Sequence, residues 1–203
     1  MNLDFYLNTL TDGEPIFLDE YDCKNKDYIR QKFKKYTDEG ILIRVQNGVY
    51  YKSYKTILGT KGKMSIEKFI NKAYLNCFND GYYTGLTLAN KYGFTSQNPS
   101  NIELTSNKAT TKQRKIKIDG YTLIVYKPVS KINKNNKSAL QFLDLMVDIN
   151  KYCELNDEEY RNKLKEFIKE TNVNFYYVKK YISKYPLVVY KNIYEGGLMN
   201  ELV

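Results

Sequence analysis

Apolar residues recur along this chain at two spacings. In NLDFYLNTL, Leu3, Tyr6, Leu7 and Leu10 keep helical spacing, and Asp12-Gly13 stops the run. Pro15-Ile16-Phe17 predicts a very short strand, and Asp19 caps a single helical turn through Asp22. Asn25 is then the expected N-cap of a longer helix, in which Ile29, Phe33 and Tyr36 form one buried stripe and Gly40 is the stop. ILIRV alternates as a strand. Asn47-Gly48 predicts a type I′ turn with both residues at positive φ, and VYYK is the returning strand.

Further along, LGTKGK (Leu58 to Lys63) reads as a linker. Ile66, Phe69, Ile70, Ala73 and Tyr74 form a helical stripe, and TGLTLANKY (Thr84 to Tyr92) is a short helix ended by Gly93. Its Gly85 and Ala89 permit close packing. A strand is expected at Ile102–Thr105, and Asp119-Gly120 joins strands Lys115–Ile118 and Tyr121–Val125 as a second hairpin. The remainder is helical: a stripe of Leu140, Leu143, Leu145, Met146 and Ile149, a helix capped by Asn156, another over Phe175 to Lys184, and a last one opened by Pro186. The expected class is α+β. An N-terminal part, 1–58, precedes a mixed α/β domain, 64–203, with a small sheet and a helical tail.

Polar residues on the helix after Asn25 change the picture. Opposite its stripe lie Lys24, Tyr28, Gln31, Lys34 and Lys35, flanked by Lys26 and Arg30. Helix, short strand, short helix, basic helix and hairpin, in that order, match a winged helix-turn-helix, where a helix enters the major groove and the hairpin lies along the backbone. On that reading Lys24, Lys26, Tyr28, Gln31, Lys34 and Lys35 contact DNA, together with Arg44, Gln46 and Asn47 of the wing. The plain alternative is a solvated lysine face on a small helical domain.

Net charge of +9 favours a polyanionic partner, although an AT-rich genome also enriches lysine. The distribution is uneven. Residues 1–63 hold 11 basic and 9 acidic residues, 64–136 hold 11 and 4, and 137–203 hold 10 and 10. KATTKQRKIK carries Lys108, Lys112, Arg114, Lys115 and Lys117 with no acid before Asp119. This second basic surface would grip phosphates, dock an acidic protein, or keep an edge strand soluble.

Histidine is absent, which removes the commonest general base and metal ligand. Neither GYYTG nor GTKGK has phosphate-loop or dinucleotide-binding spacing. Glu103-Leu104-Thr105 lacks the lysine that a metal nuclease requires, and Asp144 and Asp148, four apart on a helix, are expected to be solvated. No catalytic residue, metal or cofactor is expected. Cys23, Cys77 and Cys153 lack CxxC spacing and read as reduced thiols. With no membrane-length apolar run and no positive leader, a cytoplasmic protein without a membrane partner is expected.

The pattern G-I-L-I-R-V-x-x-G-V-Y-Y (Gly40 to Tyr51), followed by Tyr83-Thr84-Gly85-Leu86-Thr87-Leu88-Ala89 and Tyr92-Gly93-Phe94-Thr95, resembles the AbiEi family of type IV antitoxins, and more closely the compact bacterial regulators allied to it. The resemblance spans nearly the whole chain. It implies an N-terminal winged helix that represses its own promoter, and a C-terminal domain that neutralises a nucleotidyltransferase toxin. It offers no catalytic residues. DNA contacts carry over only to Lys24–Lys35 and Arg44–Asn47. The expected function is a DNA-binding autoregulator serving as the antitoxin of an abortive-infection (phage-defence) operon. The competing one is a protein-interaction module whose winged helix grips the toxin instead of DNA.

Overall fold

Helix α1 (Leu3–Thr9) and strand β1 (Pro15–Phe17) begin the fold, joined by a turn in which Gly13 takes φ +69°. The computed structural model describes residues 3–20, 26–76 and 79–202, and its class is mixed α+β. Two units are formed: residues up to Ala73 with Ile118–Gly120, and Tyr74–Lys117 with 121 onward.

In the first unit a single 3-10 turn (Leu18–Glu20) follows β1. Asp22, Cys23, Lys24 and Asn25 lie outside the described residues, and so does Cys77. Helix α2 (Lys26–Asp38) buries Ile29 and Phe33, and Gly40 at φ +73° closes it, letting Ile41 N–H donate to the Tyr36 carbonyl at 2.9 Å. Strands β2 (Leu42–Gln46) and β3 (Val49–Lys52) complete an antiparallel sheet of order β1-β3-β2, with Ile16 opposite Tyr50 and Arg44 opposite Tyr50 on the other side. Leu3, Leu7, Ile16, Ile29, Phe33, Leu42 and Tyr50 make the core. Phe33 meets Tyr50 edge-on at 5.0 Å, and the Tyr36 hydroxyl donates to Asp4, fastening α1 to α2. Helix α3 (Ile66–Ile70) continues as a π-helical stretch, Asn71–Leu75. Its Phe69 stacks on Phe17 at 5.6 Å, and Lys72 pairs with Glu20 at 2.9 Å.

The β2–β3 turn departs from the type I′ expectation. Gly48 alone of the pair takes positive φ, +74°, and the ladder slips by a residue between Arg44 and Gln46. A glycine-dependent bulge relieves Asn47 of the left-handed conformation. Nothing lies within 4 Å of a Cβ built on Gly48, so a side chain there meets backbone strain and no clash. Gly48→Val is expected to cost about 1–3 kcal/mol, read as a lower denaturation midpoint, and Gly48→Asn much less. The second hairpin matches its expectation: Asp119 and Gly120 take φ +47° and +83°.

In the second unit strand β4 (Gly81–Tyr83) and helix α4 (Gly85–Lys91) precede β5 (Ile102–Ser106), β6 (Gln113–Ile118) and β7 (Tyr121–Tyr126). The sheet order is β4-β5-β7-β6. β4 runs antiparallel to β5, Tyr82 opposite Thr105, whereas β5 and β7 are parallel, Ile102 opposite Leu123. Helix α5 (Lys137–Tyr152) is the central element, with Ala139, Leu140, Phe142, Leu143, Leu145, Met146 and Ile149 buried. Around it lie α6 (Asp157–Thr171), α7 (Phe175–Ile182) and α8 (Val188–Glu195), contributing Phe167, Val178, Val189 and Ile193 to the core. Asn156 caps α6 through a capping box with Glu159. Pro186 lies two residues ahead of α8 instead of inside it.

Behind α5, Glu154 accepts from the Ser96 amide and hydroxyl, both at 2.8 Å, and from the Gln97 side chain at 3.0 Å. These donors hold its carboxyl far below the ordinary 4.5, at about 2. A depressed folded value contributes stability that is present above pH 4.5 and lost as pH falls through about 2. Acid titration of the melting temperature is therefore expected to show a smaller loss between these limits in Glu154→Gln than in the parent.

Candidate nucleic-acid interface

Helix α2 presents its polar residues outward because Ile29 and Phe33 commit its other side to the core. Lys26, Tyr28, Gln31, Lys34 and Lys35 are all exposed. Some of this charge is locally compensated: Arg30 pairs with Asp27 at 3.2 Å and Lys35 with Glu39 at 3.7 Å. Both pairs are exposed, and water and salt leave such pairs worth little. Lys32, which sequence reasoning passed over, stands with its ammonium 5.5 Å from the centre of the Tyr28 ring. Contact with Tyr28 pushes its pKa up. The signal was present, since Tyr28 and Lys32 are one turn apart.

The hairpin stands in the same unit. Arg44, Gln46 and Asn47 are exposed, and the Arg44 guanidinium donates to the Asn47 side chain at 3.0 Å across the turn. That bond fixes both groups at the tip. The Phe33–Tyr50 contact packs α2 against β3 of the hairpin. Lys24, expected on this face, lies outside the described residues.

The second basic group belongs to β6 and the segment before it. Lys108, Lys112, Arg114, Lys115 and Lys117 are all exposed, while Ile116 is half-buried and Ile118 buried. β6 is the edge strand of its sheet. Lys108 sits beside Asp80, whose carboxyl is held below its ordinary value first by the Asn76 and Asn107 side-chain amides, at 3.0 and 3.2 Å, and also by this lysine.

The candidate acids behave differently from one another. Asp148 is partly exposed and pairs with Lys151 at 2.5 Å. Asp144, expected in solvent, is instead half-buried and fully engaged: its carboxylate accepts from the Tyr82 hydroxyl at 3.0 Å, Thr105 at 3.0 Å and Tyr185 at 2.8 Å. Burial pushes its pKa up, and the hydroxyl donors oppose that shift. The arrangement works as a polar pin between β4, β5 and α5. Glu103 is half-buried against the start of α4, where a Cβ on Gly85 would come within 2.3 Å of its carboxylate. Burial raises its pKa, while Tyr126 donates to it at 3.3 Å.

Among the described residues, no group of three or more acids, cysteines or histidines could hold a metal ion. Cys153 is a free, half-buried thiol that burial pushes up. A cleft of about 660 Å³ beside α5, α6 and α8 is lined by Arg161, Lys191, Asp157 and Glu195, charges of both signs. No described helix is long and apolar enough to cross a membrane.

No protein-family model matches the chain, and no curated protein does. Among solved structures, the Rv2827c protein of Mycobacterium tuberculosis aligns with 93% of this chain and 74% of its own, at 8% identity and a TM-score of 0.48.

Proposed function

We propose that residues 1–58 form a winged helix-turn-helix that binds double-stranded DNA at the promoter of the chain's own operon. On this reading the protein is an AbiEi-like autoregulating antitoxin, and residues 64–203 counter a nucleotidyltransferase-type toxin. The observation that carries it is the outward face of α2. Four polar or basic side chains, Tyr28, Gln31, Lys34 and Lys35, share that face, on a helix packed through Phe33 against the hairpin that follows. A helix fixed in this way can enter a major groove without losing order, and Arg44 and Asn47 supply a flanking backbone contact. The duplex and the toxin are its two partners, and no residue is assigned a catalytic role.

The test is titration of a promoter fragment over a range of salt. Removing one lysine–phosphate contact lowers the log–log slope by about 0.9. Lys35→Ala is expected to weaken all duplexes alike, and Gln31→Ala to blunt discrimination between sites. Salt-insensitive binding, or none to the promoter, overturns the reading.

A further inference from the structure

Ile57 and Leu58 are more exposed than any other large apolar residue described, at 105% and 88% of full accessibility. They stand at the tip of a fastened turn; the segment Leu58–Lys63, expected as a linker, is one limb of it. Lys55 and Lys61 pair across the turn as an antiparallel bridge. The Thr56 amide donates to the Thr60 carbonyl at 2.8 Å, the Gly59 amide donates to the Thr56 carbonyl at 2.8 Å, and the Thr56 and Thr60 hydroxyls are 2.8 Å apart. At the base, the Gly62 amide donates to the Tyr54 carbonyl at 2.9 Å, Tyr51 to the Gly62 carbonyl at 3.1 Å, and Tyr54 to the Lys63 carbonyl at 2.8 Å. The Tyr54 ring lies so close to Gly62 that a Cβ there would come within 2.2 Å of it. The chain thus holds two adjacent aliphatic side chains out in water on a rigid support.

Their surroundings are cationic. Lys55, Lys61 and Lys63 are exposed, and no acidic residue occurs between Glu39 and Glu67. The turn leaves the end of β3 opposite Asn47-Gly48. The Ser53 amide donates to the Ile41 carbonyl at 2.8 Å, just past the C-terminal end of α2, and Tyr50 packs on Phe33 at mid-helix. The hairpin therefore runs back along α2, with Asn47 toward its N-terminal half and Ile57 away from it.

We propose that this turn docks a protein partner: Ile57 and Leu58 enter an apolar pocket whose rim of carboxylates faces Lys55, Lys61 and Lys63. Charge complementarity selects that occupant. A second copy meeting tip to tip would bring three lysines of each copy together. A lipid surface would favour an aromatic ring at headgroup level, but Tyr54 is turned in against Gly62. A duplex held by α2 and the Asn47 turn lies at the other end of the hairpin. Only this last exclusion rests on the DNA-binding reading.

Placing the photo-cross-linker benzoylphenylalanine at position 58 of the full chain, in the native host, tests the proposal. The cross-linked peptide is expected to come from one protein and to border an apolar pocket ringed by Asp or Glu. Titrated against that purified partner, Ile57→Ser/Leu58→Ser is expected to weaken binding at least about 100-fold. Lys55→Glu/Lys61→Glu should also abolish binding and regain it when the rim carboxylates are exchanged for lysine. Promoter affinity and the melting curve should stay unchanged in both variants, which separates failure here from failure of the DNA-binding reading. The proposal is overturned by tip-dependent binding to phosphatidylserine vesicles, by tip-dependent promoter binding, by tip-dependent self-association, or by no cross-linked protein.

Discussion

Asp144→Ala is expected to destabilise the second unit by about 3–9 kcal/mol, because three buried hydroxyls lose their acceptor at once and each costs about 1–3 kcal/mol. Tyr82 and Thr105 are 1% and 2% exposed and Tyr185 only 8%, so water replaces the missing carboxylate poorly. Against a total stability of about 5–15 kcal/mol, such a loss removes a large share of the folded population at physiological temperature. Asp144→Asn keeps one acceptor oxygen and removes a half-buried charge, so it should cost far less. The pH dependence separates the two effects. The folded pKa of Asp144 lies above its ordinary 3.8, so its contribution is fully present below pH 3.8 and is lost as pH rises through the raised value. The parent should therefore gain on the Asn variant in acid. Denaturant midpoints of the three proteins, measured from neutral pH down to 3, check both statements. Equal midpoints for the parent and the Ala variant would show that the hydroxyls find other partners.

The second large effect concerns β6. Reversing Lys112, Arg114 and Lys115 to Glu changes the charge of one exposed edge by six units without touching a buried side chain. If this surface serves the antitoxin role, toxin rescue in cells should be abolished, whereas promoter affinity in vitro, which the proposal places on α2, should persist. Intact rescue without promoter affinity would instead mean that both basic surfaces lie along one duplex. Both intact would leave the lysines as a device that keeps an edge strand from pairing with other chains. The fold should survive in every case, since β6 keeps Ile116 and Ile118 and its Asp119-Gly120 turn.

What the sequence made legible is what local rules govern. Pro15–Phe17, the α2 stripe, the stop at Gly40, the Asp119-Gly120 hairpin and the Asn156 cap each depend on residues within a few positions of one another. What it hid depends on distant partners. Asp144 is indistinguishable from a surface acid until Tyr82, Thr105 and Tyr185, each about 40–60 positions away along the chain, are brought to it. The segment from Leu58 to Lys63 reads as a linker because glycines and lysines dominate it, yet hydrogen bonds among Tyr51, Tyr54 and Gly62 close it. Asn47-Gly48 carried the right residues for one turn and adopts another, since a slip in the ladder changes the geometry without changing the residues that favour it. Of the candidate interface, the exposed lysines were legible from helical spacing, and Lys32 against Tyr28 was the omission.

The insertion of β7 between β5 and β6 bears on how this chain is made. As the chain leaves the ribosome, β5 and β6 appear first and neither is the other's neighbour in the finished sheet. Both wait with open edges until Tyr121–Tyr126 arrives, and that one strand must satisfy a parallel partner and an antiparallel one together. Helix α5, which covers the sheet, is synthesised later still. Nascent chains halted before Tyr121 therefore carry β5 paired on one side only, with β4, and β6 without its neighbour, the first apolar at Leu104 and the second bristling with lysine. The cationic strand repels its own kind, so the hazard of misassembly during translation falls mainly on β5.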